Sequence, residues 1–148
     1  MATNRIAIRN TIAELLKTQL DGVNYTSNVY TNVETRHMFW DEIRSHPTIA
    51  VVLGSERTEY HPSGFSWKKV EVFIKVYTDI DDQGAQLEQL LIDIEDIMDA
   101  NNSLEYLPGE TTEQISILSV EDDGGILYPF AVGEISLMVQ YQSNRLFI

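Results

Sequence analysis

The chain contains no cysteine, which removes disulfides, thiolate metal sites and thiol nucleophiles from consideration. Basic residues are nearly absent from its second half, where Arg145 is the one Lys or Arg among residues 76–148. A chain this acidic does not attract a phosphate backbone, because nucleic-acid binding rests on counterions released by clustered Lys and Arg. No apolar run approaches bilayer length, and MATNRIAIRN lacks the uninterrupted apolar core of a signal peptide. Neither export nor membrane insertion is expected. There is no Gly-x-Gly-x-x-Gly, Walker loop, Gly-x-Ser-x-Gly or His-Glu-x-x-His. His37, His46 and His61 stand in three segments without the i, i+4 spacing of a helical zinc pair. No catalytic, metal or cofactor residue is therefore assigned, and no cofactor is expected.

What is present begins with an ordinary globular balance: 148 residues, 43% hydrophobic and 22% charged, read as one domain over 1–148 with a sizeable core. The stretch Trp67–Asp99 organises the rest. In WKKVEVFIKVY, Val70, Val72, Ile74 and Val76 alternate with Glu71, Phe73, Lys75 and Tyr77, the period of a strand. In QLEQLLIDIEDIMDA, Leu87, Leu90, Leu91, Ile94, Ile97 and Met98 recur at three- and four-residue steps, one apolar stripe on a helix. A strand running into an amphipathic helix implies an α/β (α+β) fold. The expected form is a single mostly antiparallel or mixed sheet flanked by helices.

In chain order, Thr3 is the expected N-cap of a helix over about 4–20, with Ile8, Ile12, Leu15 and Leu16 as its stripe and Asp21-Gly22 ending it. The alternation in VNYTSNVYTNV (23–33) predicts a short strand. Glu34–Ser45, holding Met38, Phe39, Trp40 and Ile43, reads as a short helix or turn that stops at His46-Pro47. Ile49–Leu53 is apolar on both faces and predicts a central strand. It continues outward as polar Ser55–His61, turns at Pro62-Ser63-Gly64 and returns through Trp67 as a projecting hairpin. After the long helix, NNSLEYLPGETTEQ reads as a loop with little to pack, one that orders on docking. Ile115–Val120 and Ile126–Tyr141 are strands joined by an Asp-Asp-Gly-Gly turn. Pro129 places the start of the last at an edge or bulge.

Charge is distributed unevenly. Residues 1–75 hold nine Lys and Arg against eight Asp and Glu, a net of +1; residues 76–148 hold one against fifteen, a net of −14. Solubility alone explains such acidity; the sharper reading is that the basic half of one copy meets the acidic half of another. Asp93, Asp96 and Asp99 crowd the C-terminal half of the long helix, where the macrodipole prefers cations. They are candidate interface acids, with Arg36, Arg44, Arg57, Lys68 and Lys69 as candidate partners. A solvated acidic face is the plainer explanation, and neighbours within the same fold are an alternative source of the cations. At the hairpin tip, Phe65 lies between Gly64 and Ser66, is hard to bury locally and is a candidate protein–protein anchor. Asp79, Asp81, Asp82 and Gly84 invite comparison with a calcium loop, but Gln83 and Leu90 stand where two ligands belong. Helix capping explains these acids better.

The N-terminal helix, TIAVVLG, VYTDIDDQG leading into LEQLLIDIEDIM, and a last strand ending SLMVQY form a layout over about residues 4–142. This layout resembles the tail terminator (tail completion) proteins of long-tailed bacteriophages, the lambda minor tail protein U type and its relatives. The resemblance implies small α/β monomers that assemble into a hexameric ring. The ring caps the tail tube, stops its polymerisation and presents the surface that joins the head, while DNA passes through unread. It further implies a non-enzyme without cofactor, placed at the head-proximal end of the virion tail after assembly in the bacterial host cytoplasm. Its partners are further copies, the tube protein and a head completion or connector protein. Three other readings stand beside it: a neighbouring connector role, a metal- or ligand-binding module using Asp79, Asp81 and Asp82, and a hydrolase assembled from distant His and acidic residues.

Overall fold

The computed structural model describes residues 4–30, 32–38, 47–79, 85–122 and 130–143, without the side chains of Asp79 and Phe130. Its elements in order are α1 (Asn4–Gln19), β1 (Val33–Glu34), β2 (Thr48–Tyr60), β3 (Ser66–Asp79), α2 (Ala85–Ala100), β4 (Glu105–Leu107), β5 (Glu110–Thr111), β6 (Gln114–Asp122) and β7 (Phe130–Ser143). Five strands form one sheet in the order β1-β2-β3-β7-β6, and β4 and β5 form a separate small hairpin. The β1–β2 pair is parallel and the other pairs of the sheet are antiparallel, so the sheet is mixed.

Period-two patterning fixes which face is dry. Val70, Val72, Ile74 and Val76 of β3 are fully buried, as are Ile135, Leu137 and Val139 of β7. Register sets Ile74 beside Val51 on one side and Ile135 on the other. Both helices lay their stripes on this one face: Ile8, Ile12 and Leu16 from α1, and Leu87, Leu90, Leu91, Ile94, Ile97 and Met98 from α2. Each such side chain contributes about 1.5–3 kcal/mol by leaving water. The two described helices thus lie on one face of the sheet, and on the other Ala50, Val52 and Tyr77 are nevertheless buried. On the opposite face Glu71, Phe73, Lys75, Glu134, Ser136 and Met138 are only half-buried.

The β2–β3 hairpin turns as its sequence predicts: Gly64 takes φ +93° and its N–H donates to the His61 carbonyl at 3.1 Å. A side chain there would be strained, so the glycine is needed. The strand predicted over 23–33 is reduced to Val33–Glu34. The reason lies in competing hydrogen bonds. Asp21 accepts the N–H groups of Asn24 (2.8 Å) and Val23 (2.9 Å), which hold its carboxyl below the usual carboxylate range and curl the chain away from extension. The segment 101–114 also differs from its reading as a loop awaiting a partner. Tyr106 is buried and packs edge-on against Tyr141 with ring centres 5.9 Å apart, while Thr112, also buried, accepts the Leu104 N–H through its hydroxyl. Thr3, 39–46, Asp81, Asp82, Gly84 and Pro129 lie outside the described residues, and with them the readings placed there.

Candidate docking surfaces

The acids of α2 separate into two groups. Asp93 follows Leu90 by three and precedes Ile97 by four, so it lies at the margin of the apolar stripe. It is buried, and its carboxylate accepts the Ser27 hydroxyl (2.6 Å), the Ser27 N–H (3.2 Å) and the Gln89 amide (2.9 Å). It pins the 21–30 loop to the helix. That internal task removes Asp93 from the accessible acidic face on which it was expected. Asp93→Ala leaves the half-buried Ser27 donors without this partner and is expected to cost about 1 kcal/mol, because donors partly withdrawn from water then carry part of their desolvation penalty uncompensated. Thermal unfolding should show a lower Tm, by about 2–4 °C per kcal/mol; an unchanged Tm would exclude the pinning role.

Glu88, Asp96 and Asp99 point to solvent with Glu95 and half-exposed Ile92 between them. Among the described residues no Lys or Arg lies within ion-pair distance of these four acids. Helical spacing puts Glu88, Glu95 and Asp99 on the flank opposite the one Ser27 touches. That flank faces the β6 side of the sheet, since α2 packs over β3, β7 and β6.

The candidate cations are dispersed. Lys68 and Lys69 are consecutive in β3 and point to opposite faces. Lys68 donates to the Thr58 hydroxyl at 3.0 Å, and Lys69 lies 3.8 Å from Glu59. Arg57 is exposed opposite Lys69. Arg36 is exposed and donates to the His37 carbonyl at 3.4 Å. Arg44 lies outside the described residues. Phe65 does find local partners: it stacks on His61 with ring centres 4.4 Å apart and meets Trp67 edge-on at 5.4 Å. The His61 Nδ1 also accepts the Ser63 N–H at 3.1 Å, which gives this histidine a structural use.

Three residues that the sequence reading did not single out position the hairpin. The Tyr141 hydroxyl donates to the Glu56 carboxylate, and Arg5 of α1 stands 3.7 Å from the other Glu56 oxygen. Burial, followed by the Glu56 contact, pushes the Tyr141 hydroxyl well above its ordinary pKa. This tie fixes the root of the β2–β3 hairpin to β7 and to the start of α1. Its partners lie 51 and 85 positions apart along the chain, beyond any local signal.

The sheet order turns the sequence asymmetry into a spatial one. Residues 1–75 build α1, β1, β2 and most of β3, and residues 76–148 build α2 and β4 through β7. The near-neutral half therefore ends at the β1–β2 edge and the acidic half at the β6 edge. Among the described residues no group of three or more His, Cys, Asp or Glu is placed to hold a metal ion. Two shallow grooves, one along α1 beside Tyr106 and one between Thr26–Tyr30 and the start of α2, are lined mainly by amides, hydroxyls and apolar atoms.

The surfaces described are open and charged, of the kind on which another macromolecule can rest. A family model described as bacteriophage tail tube terminator protein matches residues 2–148, and the chain belongs to that family, a structural component of the phage virion tail. It is 36% identical to the tail tube terminator protein p142 of Escherichia phage T5, over 96% of this chain and 96% of that one. Its fold is also similar to that of a chain in the virion of a native gene transfer agent particle, with a TM-score of 0.63, 13% identity, and 97% of this chain and 98% of that chain covered.

Proposed function

We propose that the chain ends tail-tube growth by closing as a head-to-tail ring, a hexamer, on the tube, and that the other side of the ring joins the head. It does so without catalysis, and DNA passes through the ring without being read. The observation that carries this reading is the unlike charge of the two halves of the chain that end at opposite edges of the sheet, +1 for residues 1–75 against −14 for residues 76–148. A ring in which each copy meets the next head to tail needs two different, complementary patches on every subunit. An acidic lumen also denies DNA the salt-stable phosphate contacts that would hold it in place.

Electron microscopy of the purified protein mixed with growing tail tubes tests the reading. Rings are expected at one end of each tube, with elongation halted there. Uncapped tubes that lengthen at an unchanged rate, together with monomer alone in sedimentation at high concentration and low salt, would overturn it.

A further inference from the structure

The side of the sheet away from α1 and α2, the grooves beside these helices and the aromatic hairpin tip are less informative than the sheet's two edges. Among the described residues β6 ends the sheet on one side, and it is nine residues long. Its sequence, QISILSVED, has no Lys, Arg or Pro, and the devices that keep a solvent-facing edge strand from pairing are confined to Glu121 and Asp122 at its end and to a bulge at Leu118. It exposes Leu118 and Val120, at 55% and 38%. On the other side, β1 covers only Ile49 and Ala50 of β2. Residues 51–59 therefore have no outer strand partner among the described residues.

We infer that the outer edge of β6 in one copy pairs, strand to strand, with the outer edge of β2 (residues 51–59) in the next copy. The sheets of neighbouring subunits then run on into one another. This rests on the ring reading above and names the surfaces that close it.

The helix layer argues for a second copy in this orientation. α1 packs over β2, and its Thr11, Leu15 and Thr18 flank faces Tyr106 toward the middle of the molecule. Arg9 and Lys17 fall on the opposite flank, toward the β1–β2 edge. α2 lies above the other edge with Glu88, Glu95 and Asp99 on its outward flank. Laying β6 against a neighbour's β2 sets the acidic flank of α2 against the basic flank of α1. Pairing β6 with β6 would instead bring together two helices that each carry five acids and no cation, a like-charge arrangement. Strand addition supplies backbone hydrogen bonds, and the helix flanks select the partner edge.

The absence of cysteine makes the test specific. Leu118→Cys, labelled with a photoreactive maleimide, is assembled with tail tubes as a mixture of isotopically light and heavy copies. Light–heavy cross-links to residues 51–59 are expected. Separately, the double variant Leu118→Lys with Val120→Lys changes two exposed side chains and should move the Tm by no more than about 2 °C. Its yield of closed rings should fall at least about tenfold. Cross-links that land on the tube subunit, on β6 of another copy or elsewhere in the chain overturn the inference. So does a double variant that closes rings like the parent while the parent does form them. A parent that forms no ring even with tubes overturns the ring reading itself, and this inference with it.

Discussion

Gly133→Val is expected to destabilise the fold by about 2–3 kcal/mol, whereas Gly133→Ala stays close to neutral. Gly133 lies on the helix-facing side of β7, opposite Val76 of β3 and Asp122 of β6. A Cβ there would stand 3.1 Å from Leu87 Cδ1 and 3.2 Å from both Leu91 methyl groups. Alanine asks those flexible side-chain ends to yield by a few tenths of an ångström, and replacing glycine in a strand returns backbone entropy that offsets the strain. Valine adds methyl groups directed at the helix, and β7 cannot retreat because β3 and β6 hold it on both sides. Overpacking of this kind costs about 1–3 kcal/mol, and the rigid seat favours the upper part of that range. Against a total stability of about 5–15 kcal/mol the loss is large. Denaturant titration measures it as a lower midpoint with an unchanged slope. Equal effects for alanine and valine would show that α2 is not seated through this glycine.

The seat of α2 was only half legible in the sequence. Its stripe from Leu87 to Met98 and the alternation of β3 follow from one side chain per contact and fixed periods, so both are visible in a local window. Asp93 was not recognised, although its spacing from Leu90 and Ile97 carried the signal. What identifies it is Ser27, far away along the chain. The same holds for the 23–33 segment, where strand-like alternation yields to the Asp21 turn, and for Tyr106, which only Tyr141 explains. The single-sided placement of the helices was likewise invisible, because a half-buried sheet face and a fully buried one differ only in the middle of their polarity range. Charge was legible as a sum over each half of the chain. It became a statement about surfaces only when the strand order placed those halves at opposite edges.

The second large effect is a change of opposite sign in folding and in assembly. Glu95→Lys, Asp96→Lys and Asp99→Lys together reverse the charge of the C-terminal half of α2, where no basic residue stands in the last turn. Carboxylates there oppose the helix dipole, and cations near that end are favourable by about 0.3–1 kcal/mol each. The triple variant should unfold at a Tm equal to or above that of the parent. Assembly should respond the other way. If these residues meet cations of a neighbouring copy, each reversal replaces an attraction worth up to about 1 kcal/mol by a repulsion of similar size. Three reversals then remove about 3–5 kcal/mol from each subunit contact, a loss of more than about 100-fold in association. Added salt should weaken the parent ring and rescue part of the variant's deficit, since both effects are screened over about 10 Å at 0.1 M. Sedimentation of both proteins with tail tubes, at two salt concentrations, reads association, and calorimetry reads stability. A variant that is more stable and still assembles like the parent would place the acidic flank outside the ring contact and leave these charges to solubility alone. A variant that gains stability and loses the ring would explain why the helix carries acids where its own dipole disfavours them.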